Sequence, residues 1–226
     1  MKQTKSVTIL PSGFTITAHA GALDTEANTL DSVRVCLENA DIAEVDLRFL
    51  PDGTPVLSHN SPSADAARLE DAFRLLKQFP DKRMNVDIKA TTDMPLVQKL
   101  AEEIGVLPQV FFTGVFKRFV ADVRVGAPKI PYYLNVDIFP LLRYSKVYRL
   151  HLVHQAQRYG AIGLNFNHLN ATKKIVNTAH ANGLLVSIWT ARSEDTVQKI
   201  LYLGADNLTT TMPDVARKCL EAFSKQ

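Results

Sequence analysis

The chain has 226 residues, 46% hydrophobic and 22% charged, with a net charge of +3. That length can bury a substantial core, and the charge contains no long basic run of the kind that marks a nucleic-acid binder, although a modest positive bias suits anionic small molecules. Two cysteines, Cys36 and Cys219, supply neither a disulfide framework nor a metal-ligand spacing, and no apolar stretch approaches the length of a membrane span.

The first residues, MKQTKSVTILPSG, carry lysines but only a short apolar run before Pro11. A secretory signal needs a longer apolar centre, so a cytoplasmic protein is expected. Strands are predicted at 15–21, 42–49, 83–89, 109–115, 129–136, 161–168, 184–191 and 205–211, with helical periodicity between them. Leu30, Val33, Leu37 and Ala40 recur at helical spacing. Ser193 is placed to cap a helix that stops at Gly204, and Pro213 falls in the first turn of another, where its missing N–H costs nothing. Eight strands alternating with helices predict a single (β/α)8 TIM-barrel domain over residues 1–226. An open doubly wound sheet is disfavoured because no glycine-rich phosphate fingerprint follows the first strand.

Side chains alternate across a strand, and the apolar face must pack on the helices. In the first three strands this directs His19, Glu44, Asp46, Asp87 and Lys89 to the interior. All lie late in their strands, near the C-terminal mouth where barrel active sites occur. After the second strand, Asp52-Gly53 signals a hairpin. A two-residue turn centred there pairs Leu47 with Ser58 and Asp46 with His59, returning a histidine to the carboxylates. Three converging carboxylates raise one another's pKa unless a cation neutralises them. All-oxygen ligation favours one Mg²⁺ or Ca²⁺ over zinc. His19 and His59 then suit general acid and base chemistry near neutrality. Glu44 and Asp46 have an alternative reading as an ion network with Arg48 and Lys89.

His19-Ala20-Gly21, Asn28-Thr29, Glu44-x-Asp46, the DGTPVLSH arm, Asp87-x-Lys89 and the segment from Leu184 to Asp214 together resemble the glycerophosphodiester phosphodiesterase family. The resemblance runs from about Ala18 to Asp214. It implies a TIM barrel with catalytic His19 and His59, a metal held by Glu44, Asp46 and Asp87, and Lys89 beside the substrate phosphate. Ala20 stands where most members have a phosphate-contacting arginine, and Ala27 where most have glutamate. Residues 60–82 leave no room for the small insertion many members carry.

Three further residues are assigned to substrate binding: Asn167 at the end of the sixth strand, Trp189 at the end of the seventh, and Arg192 in the following loop, where it could replace the missing arginine. The leading expectation is metal-dependent hydrolysis of a small phosphodiester to an alcohol and a phosphomonoester. The alternatives are phospholipase D-like cleavage of lysophospholipids, and a non-catalytic phosphodiester sensor. The expected partner is a small molecule, with no nucleic acid and no integral membrane segment.

Overall fold

The computed structural model describes residues 13–225. The run Met1–Ser12, from which no secretory signal is read, lies outside the described residues. From Gly13 onward the elements follow in order: β1 (Thr15–Ala18), α1 (Leu30–Asn39), β2 (Ile42–Phe49), β3 (Pro55–Leu57), α2 (Leu69–Leu76), β4 (Arg83–Ile88), α3 (Met94–Ile104), β5 (Val110–Val115), α4 (Val120–Gly126), β6 (Tyr132–Asn135), α5 (Lys146–Tyr159), β7 (Gly163–Asn167), α6 (Lys173–His180), β8 (Leu185–Ala191), α7 (Glu194–Leu203), β9 (Asn207–Thr210) and α8 (Pro213–Phe223). Eight strands pair in parallel around a closed ring, β1-β2-β4-β5-β6-β7-β8-β9 and back to β1, while β3 lies outside the ring, antiparallel to β2. This is the (β/α)8 barrel that the alternation of patterns predicts.

The helix boundaries have local causes. Ser193 Oγ accepts from the Thr196 N–H at the start of α7, and Gly204 ends that helix at φ 78°. Thr29 caps α1 in the same way, accepting from Ser32. β1 is shorter than its pattern, because the chain leaves the sheet after Ala18 and turns at Gly21, which has φ 81°. His19 therefore sits just past the strand, at the mouth.

The hairpin corrects the predicted register by one residue. Leu47 pairs with Leu57, Arg48 with Val56 and Phe49 with Pro55, so Asp46 faces Ser58, whose N–H donates to the Asp46 carbonyl. The cause is a three-residue loop in place of a two-residue one. Gly53 takes φ 87° and donates to the Leu50 carbonyl, and Leu50 N–H closes the arm on the Thr54 carbonyl. Only Gly53 of the Asp52-Gly53 pair has positive φ, whereas the two-residue type I′ turn needs it at both. Asp52 Oδ1 instead accepts from the Thr54 N–H, an Asx turn that fixes the longer loop.

Ile16, Ala18, Val45, Leu47, Met84, Val86 and Ile88 point outward and are buried beneath the helices. The barrel interior is unusual in being largely polar. Only its lower part is apolar, where Ile42, Phe111 and Tyr133 pack together and the Arg83 guanidinium covers the Phe111 ring. Above that plug, Thr17, Asn85, Thr113, Asn135, Asn165, Ser187 and Asn207 are all buried. Their polar atoms are satisfied by one another: Asn207 donates to Thr15 and Thr17, Ser187 to Asn207, and Thr113 to Asn85 or Asp87. Filling the interior with hydrogen-bonded amides gives a rigid polar floor on which charged groups can stand.

Candidate active site

The carboxylates come from two adjacent strands in register. Glu44 pairs with Asn85 and Asp46 with Asp87 across the β2–β4 ladder, so alternation delivers all three acids to the same face. Glu44 is 8% exposed and Asp46 4%. One oxygen from each of Glu44, Asp46 and Asp87 lies within 4.8 Å of the other two. Ligand oxygens on a single Mg²⁺ or Ca²⁺ stand at 2.0–2.6 Å from it, so a set this close is compatible with one shared ion.

Each acid is held differently. Asp46 is clamped by Asn28, whose Nδ2 donates to Asp46 Oδ2 at 2.8 Å while its Oδ1 accepts from the Asp46 backbone N–H at 2.9 Å. Asn28 does this from the left-handed region, at φ 64°. Asp87 Oδ1 accepts from the Thr113 hydroxyl at 2.7 Å. Gly114 lets β5 pass close by: a Cβ there would stand 2.6 Å from the Ile88 backbone and 2.8 Å from Asp87 Oδ1, and its φ is 69°. Lys89 Nζ bridges Asp46 Oδ1 at 3.0 Å and Asp87 Oδ2 at 2.5 Å. Burial works against its charge, but Asp87 and Asp46 more than offset this and hold the ammonium above the usual lysine range.

Glu44 is the exception, since its Oε2 is buried without a hydrogen-bond partner. Burial, then the charges of Asp87 and Asp46, push its carboxyl well above the ordinary glutamate range. Lys89 offsets one of the three acidic charges, which leaves a deficit equal to one divalent ion. The orphaned oxygen, the all-oxygen donor set and this imbalance all fit a hard divalent cation.

His19 Nε2 stands 4.0 Å from Glu44 Oε2. Its Nδ1 lies 2.8 Å from the Ala20 carbonyl, which can only accept, so Nδ1 carries the hydrogen and Nε2 keeps a lone pair when the ring is neutral. Burial lowers its pKa below the ordinary histidine value. His59 is exposed just past β3, at the returning base of the arm, and borders the same cavity as His19. The arm is fastened there by Arg48, whose Nε donates to the His59 carbonyl at 2.9 Å. Arg48 therefore anchors the arm, and no ion pair joins it to the acids among the described residues.

The cavity has a volume of about 420 Å³ and is lined by His19, Glu44, His59, Asp87 and Lys89. Trp189 and Arg192 also reach it. Asn165, oriented so that both amide atoms are satisfied, accepts from Trp189 Nε1 at 3.2 Å and donates to Ser187 Oγ at 2.9 Å, which fixes the indole from below. Asn167 does not line the cavity; its Oδ1 accepts from the Leu169 N–H and caps the turn after β7. The strand alternation that points Asn165 inward does so for Asn167 as well, but β7 ends there and the short side chain serves the turn. Sequence reasoning also passed over Arg118, which lines the cavity and lies between the rings of Phe116 and Phe119, at 5.1 and 4.5 Å. It follows β5 in a short 3-10 turn, Lys117–Phe119, outside the strand alternation, so no pattern marks it.

No family model matches the sequence, and no curated protein matches it. Solved structures do. One from Silicibacter pomeroyi, described as a glycerophosphoryl diester phosphodiesterase, superimposes with a TM-score of 0.81 at 16% identity, covering 97% of each chain. A Galdieria sulphuraria structure described as a glycerophosphodiester phosphodiesterase gives 0.78 at 21% identity, covering 96% of this chain and all of its own. An Oleispira antarctica phosphodiesterase in complex with the product sn-glycerol-3-phosphate gives 0.72 at 17% identity, covering 94% of this chain and 97% of its own. At these identities the likeness establishes a shared fold over nearly the whole chain.

Proposed function

We propose that this chain is a metal-dependent phosphodiesterase of the glycerophosphodiester phosphodiesterase family, cutting a glycerophosphodiester or a related small phosphodiester to an alcohol and a phosphomonoester. The observation that carries the reading is the convergence of Glu44, Asp46 and Asp87 on one point beside Lys89, with two histidines on the same cavity. The shared barrel supports it, because the solved neighbours include a phosphodiesterase holding sn-glycerol-3-phosphate.

Glu44, Asp46 and Asp87 would hold one Mg²⁺ or Ca²⁺. Bound there, the cation supplies charge neutralisation and polarisation of a phosphoryl oxygen. Lys89, kept charged by its two aspartates, adds a second positive group beside the phosphate. His19, neutral near pH 7 and with its Nε2 lone pair facing the cavity, takes the proton from the attacking hydroxyl. His59 gives a proton to the departing alkoxide as the phosphorus–oxygen bond breaks. Arg192 and Arg118 stand on the cavity where Ala20 leaves the phosphate without its usual arginine. Trp189, held by Asn165, offers a flat wall for the alcohol.

A lysophospholipid presents the same phosphodiester with an acyl chain on its glycerol, and the exposed apolar loop after β6 favours that second substrate class. Hydrolysis of bis(p-nitrophenyl) phosphate, glycerophosphocholine and a lysophospholipid, each with and without chelator, tests the reading. Turnover is expected with Mg²⁺ or Ca²⁺, with loss on chelation and in both His19→Ala and His59→Ala. A folded protein that binds the cation and cleaves none of these substrates would instead be a sensor.

A further inference from the structure

Charge is distributed very unevenly along this chain. From Ile138 to Ser193, 56 residues in all, there is no Asp or Glu but seven Lys or Arg. The whole chain carries only +3, so the remainder is net negative. The acid-free segment builds one side of the barrel, from the loop after β6 through α5, β7, α6 and β8 to the start of the next loop.

The same segment gathers exposed apolar side chains. Of the nine large hydrophobic residues exposed among those described, six lie on two neighbouring loops and the helix turn that adjoins one of them: Phe139, Leu141, Leu142 and Tyr144 before α5, Val147 in its first turn, and Leu169 after β7. Leu141 is 92% exposed and Phe139 63%. Isolated exposed hydrophobics are ordinary, whereas a cluster marks an interaction surface. The backbone beneath is well tied. Tyr148 Oη donates to the Asp137 carbonyl at 3.0 Å and accepts from the Phe139 N–H at 3.2 Å, and Arg149 donates to the Tyr144 carbonyl at 2.6 Å. Arg143 reaches Asn170 Oδ1 at 3.5 Å, which joins the two loops beside Leu169. Cations are interleaved: Arg143 and Lys146 lie within the apolar run, and Lys174 Nζ is 5.9 Å from the Tyr144 ring.

Both loops leave the C-terminal ends of their strands, the end that carries the cavity. A second cavity of about 350 Å³, lined by Asp137, Tyr148 and His151, adjoins the first through their shared residues Phe116, Arg118 and Asn135. The base of the ledge therefore opens toward the site.

We propose that this ledge docks the protein onto anionic lipid membranes, with the cavity mouth held at the headgroup layer. Leucine and phenylalanine side chains enter the acyl boundary, and the interleaved lysine and arginine meet anionic headgroups. From Ile138 to Ser193 no carboxylate opposes this, and Asp137, at the base of the ledge, is the one acid lining the cavity there. Four of the six exposed apolar side chains, Leu141, Leu142, Val147 and Leu169, are aliphatic and offer a nucleic acid no stacking surface, which favours a lipid over a stacked base despite Phe139 and Tyr144, and two copies of so positive a face repel each other. One consequence rests on the phosphodiesterase reading: a phosphodiester that resides in or forms at a lipid surface reaches the site without crossing bulk water.

The test is co-sedimentation of the full chain with vesicles of phosphatidylcholine alone and of phosphatidylcholine mixed with phosphatidylglycerol, at low and high salt. Binding is expected only to the anionic vesicles, and salt should weaken it. Leu141→Asp should lower partitioning by at least about ten-fold, and Lys146→Glu by about five-fold or more. Neither side chain is in the cavity, so both variants should retain hydrolysis of soluble bis(p-nitrophenyl) phosphate. Equal binding to both vesicle types, no binding to either, or undiminished binding by Leu141→Asp would overturn the proposal. So would a dimer that Leu141→Asp dissociates, or tighter binding to RNA than to vesicles. A protein that hydrolyses the soluble diester but ignores vesicles refutes only the docking; one that binds vesicles but cleaves no diester refutes only the enzymatic reading.

Discussion

Replacing Asn28 with alanine should disarm the cation site without touching a carboxylate. Asn28 makes two hydrogen bonds to Asp46, one to the carboxylate at 2.8 Å and one from its backbone N–H at 2.9 Å. Bonds to a charged group are worth about 1.5–3 kcal/mol and neutral ones about 1 kcal/mol. Alanine at the φ of 64° adds about 1 kcal/mol of backbone strain. The clamp is only partly buried, so water recovers some of the loss, and a net destabilisation of about 2–4 kcal/mol is expected. For a chain of this size that lowers the unfolding midpoint by about 5–15 °C. Turnover should fall about 10²-fold or more, because Asp46 loses its orientation. Asn28→Gly separates the two causes: it recovers the strain, about 1 kcal/mol, while leaving turnover as low as in Asn28→Ala. Urea unfolding and hydrolysis of bis(p-nitrophenyl) phosphate read the two quantities. Near-native stability with full turnover in Asn28→Ala, or turnover restored by glycine, would refute the argument.

Glu44 gives a pH-dependent prediction with a definite sign. Its folded pKa is raised by burial and by Asp87 and Asp46, so its contribution to metal-free stability is full below the ordinary value of 4.5 and is lost as pH rises through the raised one. Metal-free protein should therefore lose midpoint temperature across that window, and Glu44→Gln should lose less and be the more stable at pH 8. With the cation present the order should invert; an unchanged order would remove Glu44 from the ligand set. Gly114→Ala should destabilise by about 2–4 kcal/mol through its positive φ and its clash with the β4 backbone, and should shift Asp87 enough to weaken cation affinity, read by calorimetry. Native affinity in that variant would mean the strand relaxes without moving Asp87.

Period-two alternation makes much of this site legible in the sequence. Glu44, Asp46 and Asp87 oppose unbroken apolar partners on their strands, and a residue's face follows from parity alone. Parity fails where a strand stops. Asn167 has the inward parity of Asn165, yet it serves a turn, and His59 depended on a loop length that a single positive-φ glycine decided. Asn28 was legible only as part of a resemblance, because its bonds to Asp46 span 18 residues and need an unusual backbone angle that composition does not reveal.

The polar interior links these observations. An apolar barrel core would be stable without any site, whereas here Asn85, Thr113, Asn135, Asn165 and Asn207 are buried on the condition that each finds a partner. Thr113 spends its hydroxyl on Asp87, and Asn165 aligns Trp189, so the groups that fill the barrel also position the groups at its mouth. The unmatched polar atom within this network is Glu44 Oε2, at the place where the three carboxylates meet. An interior that satisfies its amides and leaves that carboxylate oxygen unpaired fits a positive ligand at that point, and the mouth above it, between Arg118, Arg192 and Lys89, is suited to the anion such a ligand would attract.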